Sequence, residues 1–191
     1  MSSKAHSVWR TTRRRPLDEI AAAHVAVGGT ARGRRFATRQ INHAYAVLVS
    51  AEFQGFCRDL HREAAFLLTA GLPAAIGEVV RKELLRDRKL QQGNPNPGHL
   101  GADFNRLGFD FWPAVLDGEP RATTWRTQLE QLNVWRNAIS HQDFDPAKLG
   151  GTVVLRLSAV RRWRGACTRL AARFDAVVGA YLTTATGQAP W

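Results

Sequence analysis

The spacing of apolar residues predicts a chain built from helices. From about residue 34 to residue 70 there is no proline, and the apolar positions keep a helical period, which predicts one long helix. Its periodic positions are Ile41, Ala44, Tyr45, Leu48, Ala51, Phe56 and Leu60. A short helix is predicted just before it at PLDEIAAAHVAV, because Pro16 suits a first helical turn and Gly28-Gly29 ends the pattern.

The middle of the chain alternates between helix and loop. A helix is predicted over about residues 72–91, starting beside Pro73 and ending before GNPNPG. Its apolar residues recur in steps of four, at Ile76, Val80 and Leu84. The region 93–120 is rich in loop-forming residues, with one short helix predicted around 100–107.

Two more helical patterns fill the last third of the chain. One runs from Thr124 to about His141, and its apolar members are Trp125, Leu129, Leu132, Trp135 and Ile139. After it, VVLRL reads as either a strand or an extended link. The other repeats apolar residues at alternating steps of three and four, at Val160, Trp163, Cys167, Leu170, Phe174, Val177 and Tyr181. This seam serves the domain core or, alternatively, a dimer contact. Four or five helices without a clear set of strands indicate an all-α bundle.

Length and composition favour one domain with a basic arm. The chain has 191 residues, of which 45% are hydrophobic, enough to build a single core. Residues 1–15 carry Ser, Thr, Lys and Arg with little apolar periodicity, so they are predicted to be a flexible basic arm. Residues 16–191 are then the single all-α domain.

The charge distribution suggests an anionic partner. The net charge is +11, and residues 1–39 hold nine basic and two acidic residues, so that this segment contributes +7. Arginine, whose planar fork binds phosphate with two hydrogen bonds, provides 23 of the 27 basic residues. An arginine-rich genome explains the same bias equally well. The residues predicted to bind RNA are Arg13, Arg14, Arg15, Arg32, Arg34 and Arg35.

Several other classes of protein fit the sequence poorly. Cys57 and Cys167 make no CxxC pair, so we expect neither a disulfide scaffold nor a zinc ribbon, and a reducing, cytoplasmic setting is the default. The apolar stretch AYAVLVSA is far shorter than the roughly 20 residues of a membrane span, so no membrane segment is expected. Cys57 and His61 are four residues apart and so share a helix face, but no further ligands follow at a recognisable spacing. We therefore expect no metal and no cofactor.

The stretch NVWRNAISHQDF holds the candidate site. At about 100° per residue, Arg136 falls within the apolar arc of its helix, whereas Asn137 and His141 are neighbours on the open side. Glu52 lies within the apolar arc of the long helix. Because a buried charge is costly without a partner, Glu52 is predicted to pair with Arg136 and orient it. A purely architectural Arg–Glu pair is the alternative.

These residues resemble a known family. R-N-A-I-S-H is similar to the R-x4-H signature of HEPN domains, and YAVLVSAEFQGFCRDL resembles the first core helix of the HEPN group that includes RiboL-PSP-type proteins. The resemblance covers about residues 36–183. It implies an all-α, HEPN-like bundle of four to five helices that forms a homodimer, with two copies of the motif facing each other across a cleft.

The resemblance also implies an activity. Many HEPN proteins are metal-independent endoribonucleases that act as toxins or in phage defence, and others bind RNA or protein without turnover. By position, Arg136, Asn137 and His141 match the catalytic motif. His141 would act as acid and base, and Arg136 would stabilise the phosphorane. The implied partners are RNA, a second copy of the chain, and an antitoxin or regulatory protein.

Overall fold

The computed structural model describes residues 1–28 and 36–191, and within these ranges it contains nine helices and no strand. The all-α class is therefore confirmed. The helices are α1 Lys4–Arg10, α2 Arg14–Gly28, α3 Phe36–Thr69, α4 Ala74–Leu85, α5 Lys89–Gln92, α6 Pro97–Asn105, α7 Phe111–Leu116, α8 Ala122–His141 and α9 Leu157–Thr186.

Helices α3, α8 and α9 form the centre of the molecule and pack against one another. The core between them is aromatic: the Phe174 ring lies 4.7 Å from Phe111, 5.7 Å from Trp112 and 5.9 Å from Phe53, measured between ring centroids. Large aromatic side chains bury more apolar surface than any others, so this cluster joins α3 and α9 to α7. The predicted seam of α9 is part of this core.

The first fifteen residues do not form a flexible arm, which corrects the prediction for this segment. Helix α1 packs on α3, where Trp9 is 3% exposed and its ring centroid lies 5.8 Å from that of Phe53. The Glu63 carboxylate accepts hydrogen bonds from the backbone N–H groups of Lys4 and Ala5, at 2.9 and 3.0 Å. Seven residues contain too few apolar repeats to produce a helical period, so the pattern of the sequence did not reveal this helix.

The helix predicted over 72–91 is interrupted. Helix α4 ends at Leu85, and α5 begins again after Asp87, which has a positive φ of 48°. The N-terminus of α5 is stabilised by Asp103, a buried residue of α6. Its carboxylate accepts hydrogen bonds from the backbone N–H groups of Lys89 and Leu90, both at 2.8 Å. A carboxylate at a helix N-terminus satisfies N–H groups that otherwise have no partner. Helix α7 also falls in a region predicted as loop.

The segment VVLRL is an extended link and not a strand. It connects the loop after α8 to α9, and Leu155 is buried. The Leu155 carbonyl accepts a hydrogen bond of 2.9 Å from the side-chain amide of Asn42 on α3. This bond ties the link to the core and positions the loop that faces the end of α8.

Candidate functional site

The candidate site lies at the C-terminal end of α8. This helix buries one face, on which Leu129, Leu132 and Trp135 contact the core. It ends at His141, because Gln142 adopts a left-handed conformation with φ 55° and its N–H bonds back to the Ala138 carbonyl. Such a left-handed residue is a common helix stop. The last turn keeps Ala138 buried while Asn137 and His141 are exposed.

Two of the three predicted catalytic residues share one cavity. Asn137 and His141 are exposed and line an open cavity of about 370 Å³ between the end of α8 and the loop that follows it. Arg136 is half-buried and does not line this cavity. Its guanidinium Nη1 donates to Asn137 Oδ1 at 3.2 Å, so Arg136 reaches the site through Asn137.

A lysine that lines the same cavity was not predicted. Lys148 lines the same cavity as His141 and forms an ion pair of 2.9 Å with Asp143. The hydrogen bond to Asp143 raises the pKa of Lys148, so this ammonium is charged at neutral pH. Its loop, DPAKLGG, has no apolar period, so the sequence pattern did not indicate this residue.

Asparagines connect the loop 93–96 to the site. Asn94 Nδ2 donates to Asn137 Oδ1 at 2.9 Å, the same atom that Arg136 contacts. Asn96 Nδ2 in turn donates to Asn94 Oδ1 at 3.0 Å, and the Asn94 carbonyl lies 2.8 Å from Nδ1 of His99. The Asn137 side chain is thus held from two sides, so its orientation is fixed before any ligand arrives.

One turn earlier on α8, Asn133 fastens this loop to the helix. It is 3% exposed, and its Nδ2 donates to the Pro95 carbonyl at 3.1 Å and to the Leu129 carbonyl at 2.9 Å. Its Oδ1 accepts a hydrogen bond of 3.2 Å from Ser50 of α3. Asn133 therefore joins α8, α3 and the loop at one buried point.

Replacing Asn133 by alanine is expected to lower the free energy of unfolding by about 1–3 kcal/mol, because buried polar groups of the loop and of α3 lose their partner. Urea unfolding of the two proteins measures this difference. Glu130→Ala, an exposed change on the same helix, should alter the free energy by no more than about 0.5 kcal/mol. Equal stability of the Asn133 variant and the wild type would show that the loop is not anchored here.

The predicted pair of Glu52 and Arg136 is wrong. Glu52 Oε2 accepts from Arg13 Nη1 at 2.9 Å, and the other arm of Arg13 binds Asp59 at 2.7 Å. The face of α3 that meets α8 carries Ser50, which lies about 200° around the helix from Glu52. Glu52 does lie on a packed side of α3, but the residue that approaches it is Arg13.

Arg13 is consequently not available as an RNA contact, although it was predicted to be one. Burial disfavours the charged guanidinium, but hydrogen bonds to Asp59 and Glu52 outweigh this and raise its pKa. The group lies flat on Gly55, where a Cβ atom would come within 2.3 Å of Arg13 Nη1. Arg13 thus joins the segment before α2 to α3.

The other predicted RNA contacts are only partly described. Arg14 and Arg15 are exposed and pair along α2 with Asp18 and Glu19, at 3.3 and 2.8 Å. Exposed pairs of this kind contribute little to stability and open readily for another anion. The remaining predicted contacts lie outside the described residues: Arg32, Arg34 and Arg35.

The Cys57–His61 pair does not form part of a metal site in the structure. Cys57 is fully buried, which raises the pKa of its thiol well above the usual value. His61 is also buried, and its Nε2 lies 2.9 Å from the Asp103 carbonyl oxygen. Across residues 1–28 and 36–191, no group of three or more His, Cys, Asp or Glu side chains is arranged to hold a metal ion.

The cavity at the end of α8 combines an exposed imidazole, an oriented amide and a charged ammonium, with a guanidinium next to it. An imidazole transfers protons near neutral pH, and the Arg136 guanidinium attracts a phosphate, whereas the Lys148 ammonium is paired with Asp143 of the same cavity. No helix in the described part of the chain is long and apolar enough to cross a bilayer. In comparisons with known proteins, no family model, no curated protein and no solved structure matches the chain.

Proposed function

We propose that the protein is a metal-independent endoribonuclease of the HEPN type. The observation that carries this proposal is the shared cavity of Asn137 and His141, with the Arg136 guanidinium hydrogen-bonded to Asn137. Metal-free cleavage of RNA needs a proton acceptor near the 2′-hydroxyl and a fixed positive charge near the phosphorus. The R-N-A-I-S-H stretch supplies both kinds of group within one helical turn and a half.

The reaction assigned to these residues is a transesterification. His141 takes the proton of the 2′-hydroxyl, and the 2′-oxygen attacks the adjacent phosphorus to form a phosphorane. Arg136 stabilises the additional negative charge, and Asn137 positions a phosphate oxygen. The bond to the 5′-oxygen then breaks and this oxygen receives a proton, so that the products are a 2′,3′-cyclic phosphate and a 5′-hydroxyl.

A homodimer is part of this proposal. The cavity of one chain contains a single histidine, whereas the reaction needs both a base and an acid. A second α8 facing the first would supply the second imidazole. A toxin or phage-defence effector with this activity would be held in check by an antitoxin or regulatory protein.

A binding module without turnover is the second candidate. In the part of the chain that the structure describes, no hydrogen bond orients the ring of His141, although catalytic histidines are commonly fixed by such a bond. The arginines and the open cavity would then bind RNA or a protein and release it unchanged.

Expression of the wild type beside His141→Ala distinguishes these candidates. The wild type is expected to arrest growth and to produce RNA fragments with cyclic phosphate ends, and His141→Ala to do neither. His24→Ala, which removes a histidine from α2, serves as the matched control and should behave as the wild type. If wild type and His141→Ala bind RNA equally and neither cuts it, the binding module is correct and the nuclease is not.

A further inference from the structure

Arginines line a large cavity beside Tyr45 of α3. This cavity, of about 810 Å³, lies between α1, α2 and the first half of α9. Five guanidinium groups line it, and the only acidic residue among its lining residues is Asp18. The five are Arg10, Arg14, Arg161, Arg164 and Arg169.

Asp18 neutralises only part of this charge. Its carboxylate pairs with both Arg164 and Arg14. Arg164 is further held by the Tyr45 hydroxyl at 3.0 Å, so it is a fixed part of the cavity wall. Arg10 and Arg161 make no ion pair within the described residues. The cavity therefore presents unpaired positive charge on two different helices.

A second basic cavity joins this one to the candidate site. It measures about 750 Å³, lies between α8, the extended link and α9, and is lined by Lys148, Arg156 and Arg162, with Glu130 as its one acid. Lys148 also lines the cavity of His141. This second cavity and the cavity of His141 thus adjoin each other at Val134, Lys148 and Leu149.

Consecutive residues of α9 connect the two basic cavities. Arg161 lines the cavity beside α1, and Arg162 lines the cavity beside α8. We call the series Lys148, Arg156, Arg162, Arg161 and Arg10 the arginine track. It begins at the cavity of His141, crosses α9 and ends at α1.

The sequence carries an independent mark of this track. Residues 146–174 include seven basic residues and not one acidic residue. The net charge of +7 over residues 1–39 points to the N-terminal segment, whereas four of the five residues of the arginine track lie in this later segment, which is free of acid.

We propose that the arginine track binds the phosphate backbone of single-stranded RNA and leads it to the cavity of His141. The track deepens the proposed function and rests on it for the position of the cleaved bond. Guanidinium groups bind phosphates with two hydrogen bonds, and they are spread over two open concavities that an unpaired strand can follow around α9. A duplex is recognised instead across its wide minor groove, which a track that turns around a helix does not match.

The test measures RNA binding separately from cleavage. All proteins carry His141→Ala, and binding of a fluorescent single-stranded RNA of about 16 nucleotides is followed by anisotropy at several salt concentrations. The variant R10Q/R161Q/R162Q is expected to bind at least about tenfold more weakly. The slope of log affinity against log salt should become shallower by about 2, since each lost phosphate contact removes about 0.7.

A matched control removes the same charge elsewhere. Lys82, Arg86 and Arg121 are exposed and lie outside both basic cavities, and their triple glutamine variant should stay within about twofold of the unmodified protein. Circular dichroism shows whether each variant is folded. Equal losses in the two triple variants would mean a general effect of net charge and would overturn the track.

Two other results would also overturn it. The first is unchanged RNA affinity in R10Q/R161Q/R162Q. The second is competition by poly-glutamate that equals competition by RNA of the same charge, which would assign the surface to an acidic protein. The proposed function fails separately, if the protein with His141 intact cuts no RNA. With cleavage present, the triple variant should raise KM more than it lowers kcat.

Discussion

Replacing Arg136 by lysine is expected to slow RNA cleavage by about 10²- to 10³-fold, the range seen when a stabilising group of an oxyanion is lost. Lysine keeps the charge but has one nitrogen, whereas arginine has five N–H donors in a rigid fork. In the structure one arm of this fork bonds to Asn137 Oδ1 at 3.2 Å. The other donors are left to meet the phosphorane, whereas lysine has its three donors on one nitrogen and cannot span two separated acceptors as the fork does.

The measurement is the single-turnover rate of cleavage at a saturating concentration of RNA, so that differences in RNA affinity do not affect the rate. The free energy of unfolding should change by no more than about 1 kcal/mol, because Arg136 is only half-buried. Arg126→Lys, on the same helix but stacked over Trp112 at 4.7 Å, is the matched control and should leave the rate unchanged. A full rate in Arg136→Lys would reduce the role of Arg136 to that of a simple point charge.

Lowering the pH from 7 to 4 is expected to reduce the free energy of unfolding by about 3 kcal/mol through His61 alone. Burial, together with the charge of Arg88, lowers the pKa of His61 from 6.5 to about 4. Its Nε2 lies 2.9 Å from the Asp103 carbonyl, and its Nδ1 lies 3.4 Å from Arg88 Nη1. A second proton would therefore have to enter beside a guanidinium.

The sign follows from the two pKa values. Between pH 6.5 and pH 4 the unfolded chain binds a proton at this histidine and the folded chain does not, so stability falls as the pH falls. Above pH 6.5 neither state is protonated, and the full contribution of the neutral ring is present. Below about pH 4 both states are protonated, and the loss through His61 no longer grows.

Urea unfolding at pH 7 and at pH 4 tests this for the wild type and for His61→Gln, which removes the titrating ring. The variant should lose about 3 kcal/mol less than the wild type on acidification. His141→Gln, at an exposed position, should behave as the wild type. If the variant does not fold, the NMR titration of His61 in the wild type gives the same answer, and a midpoint near 6.5 would contradict the prediction.

The sequence predicted the long helices well and the short ones poorly. Helices α3, α8 and α9 each contain several periods of apolar residues, so the signal rises above chance. Helix α1 has seven residues and α7 has six, and in both the apolar side chains are placed by contacts with distant residues. The spacing of apolar residues along the sequence cannot reveal contacts with residues that are distant in the chain.

In the candidate site, too, the sequence predicted the arrangement within one helix but not the contacts between different elements. Asn137 and His141 were expected on one open side, because residues four apart on one helix are neighbours whatever surrounds them. The Glu52–Arg136 pair failed because a helical wheel gives the direction of a side chain but not the element that it meets. Lys148 and Asn94 come from loops, and only the fold brings them to α8.

The anchoring of the first residues to the last helix has a consequence for synthesis on the ribosome. The backbone N–H of Ser3 donates to Asp175 Oδ1 at 3.1 Å, and Ser3 is completely buried. Because chains emerge at about 5–20 residues per second, α1 waits roughly 10–30 seconds for this partner, with the apolar side of α3 not yet covered by α9. During that interval the nascent chain holds exposed apolar surface on α1 and α3, which a chaperone that binds unfolded segments would cover.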